Sequence, residues 1–379
     1  MKNPSNPFIV AGYANPNYFC DREHEITILT EAYQNGRNIV LYSPRRLGKT
    51  GLIHHFFHQV KKKDKNVTTV YVDIHDTLDL EGFINAFSSA ALNALESKKE
   101  NFIKRIGELF SGIKASFSID EYTGIPEVQL GLGTAPEREH SLAAVIKYLE
   151  NHKNQIVIAI DEFQQINNYP EKNVEAILRK HIQRQKNANY IFSGSEKHLL
   201  LPMFSDAKRP FYQSTQHLGL KKLGLAKYKK FIQKHLKEAG KEVSETVLDY
   251  ILQWTDIHTF YTQFVCNRLY ALPEKQLSLA KTKKLLMEIL TEKEAYFHTL
   301  IKLLPKHQLQ LLTAIAKENV LVEPTAKEFL RKHQLSGVST VSKSLNALVT
   351  KGLVDDERSN EKLEYRVNDV FLRRWLERR

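Results

Sequence analysis

One segment constrains this chain more than any other. NIVLY, Asn38 to Tyr42, is a run of strand formers that stops at Ser43-Pro44, and LIHHFFHQV a few residues later has helical character. Between them lie Ser43, Pro44, Arg45, Arg46, Leu47, Gly48, Lys49, Thr50 and Gly51. A strand, a short basic loop and a helix in that order gather backbone N–H groups and the positive end of a helix dipole at one point, which suits a phosphate. Gly48 would let the backbone approach closely, Lys49 would reach the β- and γ-phosphates, and the Thr50 hydroxyl would ligate Mg²⁺. The first glycine expected of such a loop is Ser43 here, so context must supply the rest.

A second segment supplies it. Ile156 to Ile160, IVIAI, is an apolar strand that ends in Asp161-Glu162. Asp161 would hold Mg²⁺ directly or through water, and Glu162 would orient and polarise an attacking water, as phosphoryl transfer to water demands. The plain alternative is that the acids cap a helix after a buried strand. The pairing with the loop favours a nucleotide-hydrolysing site.

Apolar runs of four to eight residues recur with helical stretches between them: VTTVYVDI (67–74), QIVIAI (155–160), NYIFSGS (189–195) and a run at His217 to Leu220. Such alternation predicts a doubly wound parallel α/β sheet, ending near residue 222. IKASFSID and EVQLGLG flank Tyr122-Thr123-Gly124 and read as a β-hairpin inserted at about 98–137. Residues 223–299 show helical periodicity throughout and predict a helical lid domain. From 300 to 379, three helices are followed by a hairpin around Ser359-Asn360, the pattern of a winged helix-turn-helix. FLRRWLERR should add a short helix packing Phe371, Leu372 and Trp375 on that module.

The 379 residues exceed one core, in keeping with several domains. A net charge of +12 fits a polyanionic partner such as nucleic acid or a nucleotide. Two distant cysteines, Cys20 and Cys266, support neither a disulfide framework nor a zinc site. No apolar run approaches the ~18 residues of a membrane span, and MKNPSNPF lacks the apolar core of a secretion signal, so a cytoplasmic protein is expected.

Taken together, Phe19 to Glu25 (FCDREHE, similar to FxxRExE), the PRRxGKT loop, IDEFQ at Ile160 to Gln164, and the FSGS strand end at Phe192 to Ser195 resemble the archaeal-type ATPases of the STAND and AAA+ group of P-loop NTPases. The resemblance runs nearly the length of the chain, through a lid and a winged helix. It implies ATP binding and hydrolysis with Mg²⁺. It implies that Ser193 or Ser195, the latter preferred, senses the γ-phosphate, against the alternative of a hydroxyl satisfying the strand end. Arg209 lies where related proteins carry an arginine finger for a neighbour's nucleotide, and a solvated basic loop is the competing reading. Arg45 and Arg46 suit either phosphate contact or a brace against acids. Where relatives carry a Gly-x-Pro turn near adenine, this chain has Thr255 to Tyr261, with His258 fitting better as a structural residue. His54, His55 and His58 include an i, i+4 pair, but without a third ligand they read as core or surface histidines.

The expected activity is that of an ATP-dependent molecular switch that binds ATP and ADP and changes how lid and winged helix sit on the core. Two alternatives stand beside it: an ATP-responsive regulator binding double-stranded DNA, and a non-catalytic nucleotide-binding scaffold. The winged helix would take DNA or protein. Ser339, Thr340, Ser342 and Lys343 at the start of its recognition helix suit phosphate contact better than base reading, and the wing carries Asp355-Asp356-Glu357. A nucleotide-dependent homo-oligomer is also expected, since an arginine finger needs a neighbour.

Overall fold

A computed structural model describes residues 4–96, 99–111, 113–120, 124–359 and 362–379. The chain divides into two compact units, one of residues 11–224 with the first five, the other of residues 225–379 with residues 6–10.

The first unit runs α1 (Glu23–Gln34), β1 (Ile39–Tyr42), α2 (Lys49–Lys63), β2 (Val67–Asp73), α3 (Leu80–Leu95), α4 (Lys99–Leu109), β3 (Lys114–Ile119), β4 (Pro126–Gly131), α5 (Ala135–Glu150), β5 (Gln155–Asp161), α6 (Val174–Ile182), β6 (Ala188–Gly194), α7 (Lys197–Ser205) and β7 (Gln216–Gly219). Five strands form a parallel sheet in the order β2-β5-β6-β1-β7. The apolar runs follow from burial on both faces. Val40, Ile156, Ile158 and Ile160 join one core, with Phe83, Phe87, Leu142 and Phe204. Ile39, Leu41, Val157 and Ala159 join the other, with Leu29, Leu52, Ile53 and Phe56. The expected doubly wound P-loop sheet is therefore present, with β6 seated between the strand that feeds the phosphate loop and the strand that ends in Asp161.

The inserted hairpin is also present, pairing Lys114 with Gly131 through Ile119 with Pro126. Its expected turn at Tyr122-Thr123 lies outside the described residues. Side chains of α3 satisfy the outer edge of β4: Val128 N–H donates to Ser89 Oγ at 2.8 Å, Leu130 N–H to Asn85 Oδ1 at 3.0 Å, and Leu132 N–H to Glu81 Oε2 at 3.2 Å. Edge donors left bare would invite pairing with another chain. Helix α4 enters between α3 and the hairpin, where only the hairpin was expected.

The second unit comprises α8 (Leu225–Glu238), β8 (Glu242–Val243), α9 (Glu245–Trp254), α10 (Thr259–Ala271), β9 (Gln276–Leu277), α11 (Leu279–Glu292), α12 (Glu294–Lys302), α13 (Lys306–Glu318), α14 (Lys327–Lys332), α15 (Val338–Thr350), β10 (Val354–Ser359), β11 (Lys362–Val367) and α16 (Val370–Leu376). Helices α13 to α15 and the β10–β11 hairpin are the expected winged-helix elements, and Leu321 adds a bridge to Tyr365. Asn360 at the wing tip lies outside the described residues. Helix α16 departs from expectation in part. Its Phe371 meets Trp254, Tyr261 and Phe264 of α9 and α10 at ring distances of 5.9, 4.8 and 5.4 Å. Arg374 donates to the carbonyls of Trp254 at 2.9 Å and Gln253 at 3.0 Å, so the last helix ties the winged-helix elements to the preceding helices.

Residues 6–10 belong to the second unit. Phe8 is buried, with edge contacts to Phe231, His235 and Tyr270. Asn6 donates to the Asn267 carbonyl at 2.9 Å, and Asn267 donates to the Phe8 carbonyl at 2.8 Å.

Candidate functional site

The loop from Ser43 to Gly48 leaves β1 and turns into α2 through two left-handed residues, Arg46 (φ 63°) and Gly48 (φ 101°). Glycine tolerates that conformation without the steric cost that other residues meet. Lys49 opens the helix and is only 6% exposed. Its Nζ donates at a long 3.4 Å to the Ser43 carbonyl that begins the loop. Burial pulls the Lys49 ammonium below its ordinary range; Glu162 and Asp161 oppose this and Arg45 adds to it. A buried cation whose hydrogen bond is this long suits an added anion. Pro44 accepts from the Ser43 hydroxyl at 2.9 Å, Leu47 is buried, and Gly51 faces the Phe19 ring.

Arg22 braces this loop, a role its place in the FxxRExE-like motif did not reveal. It is buried, donates to the Lys221 carbonyl at 2.7 Å and the Leu47 carbonyl at 3.4 Å, and pairs with Glu25 at 3.0 Å. Arg45 pairs with Glu196 at 3.1 Å on the exposed side.

Asp161 ends β5 in register with Asp73 of β2. Thr50 Oγ1 donates to Asp161 Oδ2 at 2.8 Å, and the Tyr71 hydroxyl donates to the same oxygen at 2.8 Å. The Glu162 N–H donates to Oδ1 at 3.1 Å. Burial first, and Asp161 second, push the Tyr71 hydroxyl far above its usual range, so it stays protonated as a donor. Burial likewise raises Asp73. Thr50 and Asp161 thus bring hard oxygen atoms together beside a cationic loop, a donor set that fits Mg²⁺ sharing its coordination with phosphates. No group of three or more His, Cys, Asp or Glu suited to a metal occurs among the described residues. His54 packs on Tyr71 at 4.7 Å and His55 stacks on Phe19 at 4.2 Å, where they serve as aromatic packing.

Glu162 has φ 55°, a left-handed backbone that costs energy in a non-glycine residue and recurs at functional positions. Its Oε2 accepts from Gln164 Nε2 at 2.5 Å, Ser195 Oγ at 2.9 Å and Ser195 N–H at 3.3 Å. Gly194 makes room for Gln164, since a Cβ there would lie 2.0 Å from Gln164 Oε1. Of the two strand-end serines, Ser195 reaches Glu162; Ser193 is fully buried and its hydroxyl has no hydrogen-bond partner among the described residues. Gln164 and Tyr71 are the neighbours that reading residues singly did not identify.

Arg209 stands apart from these groups. It forms a two-pronged pair with Glu175 and donates to Asn167 Oδ1 at 2.6 Å. Burial raises the Glu175 carboxyl while Arg209 opposes that shift.

A family profile described as an ATPase domain predominantly from Archaea matches residues 19–258, and one described as a probable winged helix domain matches residues 295–378. No curated protein matches. Among solved structures, a Walker-type ATPase of Pyrococcus abyssi aligns over 98% of this chain and 99% of its own, with TM-score 0.63 and 15% identity. The ORC2 protein of Aeropyrum pernix, solved as ADPNP-ADP complexes, aligns over 98% and 95%, with TM-score 0.57 and 17% identity. The ORC1 protein of the same organism, in complex with DNA, aligns over 99% and 96%, with TM-score 0.51 and 13% identity. At such identities the likeness is one of fold.

Proposed function

The chain belongs to the family of ATPase domains found predominantly in Archaea, and on that premise we propose that it is an Mg²⁺-dependent ATP-binding and ATP-hydrolysing molecular switch. The observation that carries the proposal is the 2.8 Å contact of Thr50 with Asp161 beside a buried Lys49. A hydroxyl, a carboxylate and an ammonium gathered at a helix start after a parallel strand have an obvious common ligand in a nucleotide polyphosphate.

In this reading the Ser43–Gly51 loop holds the phosphates and Lys49 pairs with their charge. Thr50 and Asp161 hold Mg²⁺, which when bound neutralises charge developing on the phosphates. Glu162 accepts a proton from the attacking water. Ser195 holds the Glu162 carboxylate and senses the γ-phosphate. Arg209 is read as a brace, and its contacts with Glu175 and Asn167 support that reading over a finger for a neighbour. The ATPase portion spans 1–222, the lid 223–299 and the winged helix 300–379, and the last two respond to nucleotide as the moving parts.

The test is phosphate release with Mg²⁺ and with EDTA. Metal-dependent turnover supports the switch, and its absence in protein that binds nucleotide would leave the scaffold reading.

A second reading, DNA binding through the winged helix, draws support from the match at residues 295–378. Ser339, Ser342 and Lys343 are exposed on α15, whereas Asp356 and Glu357 of the wing are exposed and acidic. A gel-shift titration with and without ATP separates the readings: salt-sensitive, nucleotide-dependent binding supports a regulator, and none at micromolar protein in low salt removes it.

A further inference from the structure

We propose that Tyr71 is a positioning residue for the metal site, acting by fixing the orientation of the Asp161 carboxylate. The inference rests on the reading of Thr50 and Asp161 as Mg²⁺ ligands and adds a residue that no motif of the loop or of β5 contains.

The argument starts from the number of donors. A carboxylate at a strand end can rotate about its last bond and present either oxygen over a wide range of directions. Asp161 has three donors from three places: Thr50 from α2, Tyr71 from β2 and the N–H of Glu162. Two of them converge on Oδ2, both at 2.8 Å. A hydroxyl that gives its lone pair to a metal can still donate its proton, so Thr50 can serve Mg²⁺ and Asp161 together. Tyr71 is then the side-chain donor that steadies the carboxylate without itself being placed on the metal.

Its own position is fixed in turn. Tyr71 lies opposite Ala159 in the β2–β5 register, two residues before the Asp73–Asp161 pair, so the sheet sets its height relative to Asp161. Its ring packs on His54, which is four residues beyond Thr50 on α2. Residues four apart share a helix face. The same face of α2 therefore presents Thr50 to Asp161 and His54 to the ring of Tyr71. Movement of α2 against β2 would disturb all three at once. An octahedral Mg²⁺ shell tolerates little misplacement of its ligands, so a carboxylate free to turn should bind it less well.

The test compares wild type with Tyr71→Phe, which keeps the ring against His54 and removes only the hydroxyl. Binding of a fluorescent ADP analogue is followed in EDTA and across an Mg²⁺ titration, with Mn²⁺ as a second metal, and the melting temperature is taken without ligand. The expected result is a roughly tenfold rise in the metal concentration needed for half-maximal enhancement of binding, with affinity in EDTA unchanged, the size of one hydrogen bond to a charged group. An unchanged metal requirement overturns the proposal, as does an equal loss of affinity with and without metal, the mark of general damage to the loop. A lower melting temperature alone, with the metal requirement unmoved, also overturns it. If wild type itself binds nucleotide with no dependence on metal, the underlying assignment of Thr50 and Asp161 fails first, an outcome visible before the variant is made.

Discussion

Ser195 donates twice to one oxygen of Glu162, through its hydroxyl at 2.9 Å and its backbone N–H at 3.3 Å, so the residue after β6 holds the carboxylate that follows β5. Gln164 donates to the same oxygen.

Glu162→Gln should therefore lower phosphate release by about 10²–10⁴-fold, the usual loss when a general base is removed, while nucleotide binding persists. Equilibrium binding and turnover measured on the same preparation check this. Undiminished turnover would remove Glu162 from the chemistry.

Ser195→Ala leaves the backbone donor in place and removes the hydroxyl. Turnover should fall by about tenfold, the scale of one hydrogen bond to a charged group, with little change in affinity for ADP. A proportional loss of ADP affinity would point instead to a collapsed loop.

Lys49→Met should abolish tight nucleotide binding, and it carries a pH signature. Burial depresses the Lys49 pKa in the folded, ligand-free protein, so the unfolded chain binds its proton more readily. The folded state thus bears a penalty at neutral pH that is relieved as pH rises towards the unfolded value of 10.5. Relative to Lys49→Met, ligand-free wild type should gain stability between neutral and alkaline pH. Urea unfolding of both proteins at several pH values measures it, and a constant difference would contradict the burial argument.

Gly194→Ala places a methyl group against Gln164 and 3.1 Å from the Leu200 side chain. Overpacking of this kind costs about 1–3 kcal/mol, and displacing Gln164 should weaken its hold on Glu162. The paired readouts are a lower melting temperature and slower turnover; a neutral effect on both would show that the strand end can shift.

Phe8→Ala should destabilise the unit of residues 225–379 by about 3–5 kcal/mol, because Phe8 is almost wholly buried among its helices. The two tryptophans, Trp254 and Trp375, both lie in that unit, so denaturation followed by intrinsic fluorescence reports on it directly. An unshifted midpoint would mean that the arm adds nothing to the packing.

Much of the first unit was legible because its strands are buried on both faces, which forces uninterrupted apolar runs with no polar alternation. The insertion hairpin was legible for the opposite reason, since one of its faces meets water. The bounds of helix α7 could not be drawn because it carries Pro202 inside, a residue that reads as a break. Helix α4 was legible, since Phe102, Ile106 and Phe110 recur four apart, but its segment falls within the stretch expected to be the hairpin insertion. Phe8 sits in a short Asn- and Pro-rich stretch, and nothing local could announce the Phe231, His235 and Tyr270 rings that receive it.

By itself the sequence determined the chemical inventory of the site: the glycine and lysine at the start of α2, the threonine after them, and the acids after β5. Their chemistry depends on residue type and short spacing, which a linear chain records. Tertiary structure decided which groups hold them. Tyr71, Ser195 and Arg22 reach their partners from other elements, at separations of 90 residues for Tyr71 with Asp161, 33 for Ser195 with Glu162 and 199 for Arg22 with the Lys221 carbonyl. Register in a parallel sheet brings such groups within hydrogen-bonding distance, and register is a property of paired strands, set only when the fold closes.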